Sequence, residues 1–182
     1  EMRRMLAAGQ VGAPVFASAI WGSYSPDYPR DRWQMDPKLA GAGSIMGIGV
    51  HLIDLLTWLL GREVEQVTAF TDGPSERYPV EFLTTALLRL RGGAVAEFTS
   101  SRRLPNSANS VVVYGEGGRL EGQSTLGMDP VGQLAVVRAA ETVTRRFPLR
   151  DLYTEEVASF CHAIEQGTTF SASGEDGVRS VA

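Results

Sequence analysis

Cysteine is almost missing from this chain: one residue in 182, at position 161. A single thiol closes no intramolecular disulfide and cannot supply a thiolate cluster for zinc. Cys161 falls inside an amphipathic helical pattern, so a buried thiol acting as a small hydrophobe is expected. Histidine is nearly as scarce. His51 and His162 lie too far apart to make a metal motif, and no metal site is expected. Neither sign of charge dominates. Seventeen Lys and Arg face 21 Asp and Glu, a formal net charge of −4. The basic residues come as scattered pairs (Arg3-Arg4, Arg102-Arg103, Arg145-Arg146) rather than as a stripe for nucleic acid. No apolar run approaches the ~20 residues of a membrane span. Glu1-Met2-Arg3-Arg4 is followed by too short an apolar stretch for a signal peptide. The expectation is a cytoplasmic protein with neither a nucleic-acid nor a membrane partner.

What is present suffices for one ordinary core. Hydrophobic residues make up 43% of the chain, and a domain of ~150 residues buries roughly 70% of its unfolded surface. The chain opens without a start Met and stops at Ser180-Val181-Ala182 inside a helical pattern. A piece of a longer protein is therefore expected.

Residues 1–8 read as the tail of a helix, stopped by Gly9 and then Gly12-Ala13-Pro14. Val15 to Tyr24 reads as a strand, and Ser25 to Ala40, with three prolines, as a loop. A helix follows from about Ile45 to Leu60, with Ser44 as N-cap and Gly61 as its stop. Short strands are predicted at Val64–Thr71, Thr84–Arg91, Ala94–Ser101, Ser110–Tyr114, Gly118–Gln123, Gln133–Ala139 and Thr142–Phe147. Gly92-Gly93 signals a hairpin, and Gly115-Glu116-Gly117-Gly118 a second turn. A last helix runs from Leu152 to Gln166, with Val157, Phe160, Cys161 and Ile164 on one face. The order predicts an α+β fold, an open and mostly antiparallel sheet with helices packed on one face. Its other face, rich in Thr, Ser and Ala, is expected to meet another chain.

Gly41-Ala42-Gly43-Ser44-Ile45-Met46-Gly47 invites a dinucleotide-loop reading and fails on context. That fingerprint follows a buried strand and opens a helix within a βαβ unit. Here a polar loop with prolines precedes it, so this chain is expected to hold no cofactor phosphate. His51 and Asp54 are more informative. At i and i+3 they share a helical face distinct from the stripe through Leu52, Leu55 and Leu59. A histidine there suits general base chemistry, because imidazoles titrate near neutral pH; the alternative is a locally bonded histidine. His162 falls on the polar side of the last helix and reads as solvated. Trp58 suits core or pocket wall, and Trp33, in a loop, suits contact with a ligand or partner.

The stretch from Arg32-Trp33 through Gly41-Ala42-Gly43-Ser44 to His51-Leu52-Ile53-Asp54-Leu55-Leu56 resembles the glucose–fructose oxidoreductase / inositol dehydrogenase (Gfo/Idh/MocA) family. So do Ala8–Pro14, as the hinge into the first strand, Leu60–Ala69, as the strand after the helix, and Ser173–Ser180, as the closing segment. The resemblance implies the second, dihydrodipicolinate-reductase-like domain of a two-domain oxidoreductase. Residues 1–12 would be the helix tail and hinge from a Rossmann domain absent here, and residues 13–182 the substrate-binding and oligomerisation domain. The Rossmann half would bring NAD or NADP. The implied substrate is a sugar, polyol or related hydroxy compound, and the implied assembly a homodimer or larger homo-oligomer through the open sheet face.

By resemblance His51 carries the catalytic role, taking a hydroxyl proton while hydride leaves for nicotinamide. Trp33, Lys38 and Asp54 are the expected substrate-binding residues. One position departs from the family pattern. Four residues before the histidine, where an Asp is usual, this chain has Gly47. That departure leaves open a sugar-like ligand- or partner-binding relative without redox turnover, or a nicotinamide-dependent eliminase or hydrolase.

Overall fold

The central strand, β1 (Pro14–Gly22), is rich in β-branched and small residues and is paired on both sides. The computed structural model describes residues 1–127, 132–148, 151–170 and 172–181. Seven further strands complete one sheet: β2 (Val64–Thr71), β3 (Leu83–Leu90), β4 (Val95–Ser101), β5 (Ser110–Gly115), β6 (Gly118–Gln123), β7 (Gln133–Arg138) and β8 (Glu141–Arg146). Their spatial order is β2-β3-β4-β1-β5-β6-β7-β8. Every pair is antiparallel except β1 with β4. A parallel pair needs a crossover, and here it holds the long loop, a helix and the β2–β3 hairpin. That connection lays the helix across the sheet.

The predicted strands agree with those observed to within two residues at either end. Period-two burial explains why. In β3, Thr84, Ala86, Leu88 and Leu90 are buried while Thr85, Leu87 and Arg89 are exposed. Gly92 and Gly93, at φ 84° and 91°, close the β3–β4 hairpin in a conformation that glycine adopts without strain. Helix α1 (Met2–Ala7) places Met5 and Leu6 in the same core as α3 (Val50–Leu60), whose Leu52, Leu56 and Leu59 share it with Ala17, Ala96, Phe98 and Val113 of the sheet. Burying each such leucine contributes about 1.5–3 kcal/mol.

Four expectations need correction. The helix from Ile45 begins as a π-helical turn, Ile45–Gly49, before α3 proper. Ser44 is not its cap: it has helical dihedrals, and its buried hydroxyl lies 3.4 Å from Thr84 Oγ1 and donates to Ser100 O at 3.3 Å. The 25–40 loop contains a 3-10 turn, Trp33–Met35, and a short α2 (Pro37–Ala40) capped by Asp36, which accepts from the Lys38 N–H at 2.9 Å. Cys161, finally, is exposed. It lies on α4 (Leu152–Gln166), whose Val157, Phe160 and Ile164 are also exposed, because no described element covers that face. Amphipathic spacing identifies such a face without identifying its cover. Gly61 at φ 62° does stop α3 as expected, and His162 is solvent-exposed.

Against the expectation that no run is long enough, the span Pro37–Leu60, 24 residues, is long and apolar enough by composition to cross a membrane. Its structure is that of a core element. Gly41 breaks it at φ 72°, and the α3 leucines are buried on the sheet. The opposite face of the sheet carries no described helix and leaves Phe70, Leu87 and Tyr114 exposed.

Candidate functional site

The Gly-rich loop is shaped by a carboxylate far away in sequence. Glu81 accepts from the Gly43 N–H at 2.7 Å and the Ile45 N–H at 3.0 Å, and its carbonyl accepts from the Ser44 N–H at 2.9 Å. A Cβ on Gly43 would lie 1.9 Å from that carbonyl oxygen, so only glycine permits the approach. Glu81 therefore caps the helix, an anion on the positive end of its dipole. The same contacts occupy the N–H groups that a pyrophosphate would use. The loop does not fit a dinucleotide phosphate.

Beyond the π turn, α3 turns its polar side outward. His51, Asp54 and Trp58 are exposed, whereas Leu52, Leu56 and Leu59 face the sheet. The His51 ring packs on Trp21 of β1, with centroids 5.6 Å apart and planes at 37°. Both line a cleft of about 650 Å³ with Asp54, Trp58 and one side of α5 (Gly174–Val181). Helix α5 is held by a reciprocal cap: the Ser173 N–H donates to the Asp176 carboxylate at 2.9 Å, and the Asp176 N–H to Ser173 Oγ at 3.2 Å. The Ser173 N–H, the Arg179 guanidinium and the Ser173 hydroxyl bring the Asp176 carboxyl down to about 2. Asp54 moves the other way. Partial burial, then the nearby Asp176 charge, raise it, against smaller opposing effects of His51 and Arg179. The cleft thus sets an imidazole beside a carboxyl that holds its proton more tightly than usual.

One turn before His51, a second cleft of about 320 Å³ opens beside Gly47. Trp33 lines this one, not the His51 cleft. Arg102, just past β4, also lines it, and its Nη2 lies 2.6 Å from where a Cβ on Gly47 would sit. Lys38 lines neither cleft; it is exposed on α2. The structure therefore brings His51 and Asp54 together, sets Trp33 one turn away and leaves Lys38 apart. Sequence reasoning missed Glu81, Asp176 and Arg102. Asp176 was legible, since Ser173-Gly174-Glu175-Asp176 has capping-box spacing. The other two reach the site only through strand pairing.

An open, mostly antiparallel sheet, with an imidazole and carboxylates on the helices of its covered side, defines an α+β domain. Residues 1–121 match the model of the GFO/IDH/MocA C-terminal domain, and the chain belongs to that family. It is 29% identical over 182 residues to the 1,5-anhydro-D-fructose reductase of Ensifer adhaerens, covering 100% of this chain and 54% of that protein. The chain thus spans about half the length of this curated relative. Its fold is that of the aldose-aldose oxidoreductase of Caulobacter crescentus, solved with glycerol (TM-score 0.87, 21% identity, covering 100% of this chain and 54% of that one). It is also that of the Y186F mutant of KijD10, a 3-ketoreductase of Actinomadura kijaniata, solved with TDP-benzene and NADP (TM-score 0.82, 22% identity, covering 99% and 55%).

Proposed function

We propose that this domain is the substrate half of an oxidoreductase that acts on a sugar, polyol or related hydroxy compound with NAD or NADP. The observation that carries the reading is the placement of His51. It stands on the open side of α3, against Trp21 and beside Asp54, at a cleft of about 650 Å³ in a chain of this family. The relatives' names, a reductase of an anhydro sugar and an aldose oxidoreductase, support the substrate class. The NADP of the KijD10 complex supports the cofactor class.

In this reading His51 accepts the hydroxyl proton of the substrate alcohol, and returns it when a ketone is reduced. Trp21 limits the tilt of the imidazole and supplies an apolar wall for a sugar ring. Asp54, with its raised affinity for a proton, is placed to hydrogen-bond a second hydroxyl. The nicotinamide, when bound, supplies the hydride acceptor or donor. Because Glu81 already caps the loop helix, the dinucleotide phosphates belong on another domain, the Rossmann half. The open face with Phe70, Leu87 and Tyr114 supports a homodimer or larger homo-oligomer, and the sparse cysteine supports a cytoplasmic location.

The test is a panel of aldoses, inositols and anhydro sugars, offered with NAD and NADP to the full-length protein carrying this domain. Turnover, followed at the reduced nicotinamide absorbance, should fall steeply in His51→Gln. Gly47, in place of a carboxylate, favours one second reading, ligand binding without hydride transfer. Saturable sugar binding with no absorbance change would select it.

A further inference from the structure

Arg102 and Arg103 are adjacent in sequence and opposite in circumstance. Arg103 is ion-paired to Asp72 at 2.6 Å. The Arg102 guanidinium has no ion pair or hydrogen bond among the described residues and lies over the Tyr28 ring, 4.9 Å from its centroid. Its backbone is fixed on both sides: its N–H donates to Phe82 O at 2.8 Å, and its carbonyl accepts from the Ser25 N–H at 2.9 Å. The ring contact uses none of the guanidinium N–H groups as hydrogen-bond donors to a described residue, and a guanidinium without an ion-pair partner can receive a carboxylate or phosphate.

The surroundings are built around that guanidinium. Arg102 is the only charged side chain lining the cleft of about 320 Å³, among the described residues. Glu81 is nearby in sequence to Phe82, but its carboxylate is committed to the Gly43 and Ile45 N–H groups. Gln34 lines the same cleft, and its Oε1 is buried with no hydrogen-bond partner. That oxygen is sealed from solvent, so the polar chemistry open to a ligand in this cleft falls to Arg102. The absent side chain of Gly47 completes the arrangement. A Cβ there would lie 2.6 Å from Arg102 Nη2, so glycine makes the room that the guanidinium uses. Gly47 precedes His51 by four residues, about one helical turn.

We propose that the Gly47 cleft is an anion subsite, in which Arg102 binds a carboxylate or phosphate of the substrate, so that the substrate is an acidic sugar or polyol. The inference rests on the substrate-domain reading above and narrows its substrate class. It also gives the glycine at position 47 a role: without a side chain there, the Arg102 guanidinium has room beside the helix to meet a substrate that brings the carboxylate or phosphate itself.

The test is calorimetric titration of the full-length protein with D-gluconate, D-glucose 6-phosphate and D-glucose. One of the acids should bind about tenfold or more tightly than glucose, the scale of a charge-assisted pair. Arg102→Gln should bring that ratio to about one, and Arg102→Lys should restore part of it. Dependence on Arg102 for gluconate alone identifies a carboxylate, and for the phosphate ester alone a phosphate. Gly47→Asp, which leaves Arg102 in place and sets a carboxylate against it, should remove the preference too, and decides the matter if Arg102→Gln does not fold. A wild type that binds neither acid, or a preference that survives in the variants, overturns the subsite. The two readings fail separately. Acid binding through Arg102 without hydride transfer sinks the oxidoreductase and keeps the subsite. Turnover of neutral polyols with no acid preference does the reverse.

Discussion

Glu81, just before β3, accepts the Gly43 N–H at 2.7 Å, 38 residues away in sequence. That bond and its companion to Ile45 hold the start of the helix that carries His51. Charge-assisted bonds of this kind are worth about 1.5–3 kcal/mol each. Glu81→Ala, which leaves two backbone N–H groups unsatisfied, should cost about 3 kcal/mol or more in urea unfolding. Glu81→Gln, which keeps one acceptor, should cost roughly half as much. A loss below 1 kcal/mol for the alanine variant would mean that solvent caps this helix instead.

The contrast between Ser44 and Glu81 shows what the sequence made legible. Strand positions and both glycine hairpins followed from local rules: period-two alternation in β3 and β4, and the positive φ that Gly92 and Gly93 permit. The pairing of His51 with Asp54 followed from helical periodicity. Ser44 satisfied the local rule for an N-cap and was taken instead by the core, next to Thr84 and Ser100. Glu81 and Arg102 act through tertiary approach, which no local period reports. Cys161 failed for the same reason in reverse, since the apolar face of α4 is real and nothing described covers it.

Acid should loosen α5 in a defined window. The Asp176 carboxyl is held at about 2, below its ordinary 3.8, so it binds its proton less readily folded than unfolded. Its contribution is fully present above about pH 4 and is lost as pH falls through 3.8 toward 2. Asp54 has the opposite sign. Its raised value makes the folded state take the proton first, so acidification toward 3.8 adds stability from that group. Thermal midpoints from pH 6 to about 2 should therefore lose part of their acid decline in Asp176→Asn. In Asp54→Asn the small gain above 3.8 should vanish. An Asp176→Asn curve superimposable on the wild type would refute the assignment.

The helix-free sheet face should join two copies. Phe70, Leu87 and Tyr114 lie exposed on it, with Thr85 and Thr99 hydrogen-bonded between them at 3.0 Å. Contiguous apolar exposure of this kind marks an interface, and a two-fold dimer is the simplest way to cover it. Sedimentation at micromolar concentration should give a dimer or larger assembly, and Leu87→Glu should shift it toward monomer without lowering the melting point of the monomer. A wild type that sediments only as monomer removes the interface.

The proposed chemistry turns on His51. Its ring is placed by Trp21 on the open side of α3, and among the described residues the other histidine, His162, lies far along the chain on the exposed side of α4. Gln in place of His51 keeps a hydrogen-bonding group of similar reach but cannot accept the hydroxyl proton. In the full-length protein His51→Gln should lower kcat by roughly 10²–10⁴-fold, the contribution of a positioned acid–base group. The Kd for substrate should change far less, because Trp21 and Asp54 still line the cleft. The limb of the kcat–pH profile that reports the base should disappear with it. If kcat and its pH profile both survive the substitution, the imidazole only packs against Trp21, and binding without hydride transfer becomes the better account of this domain.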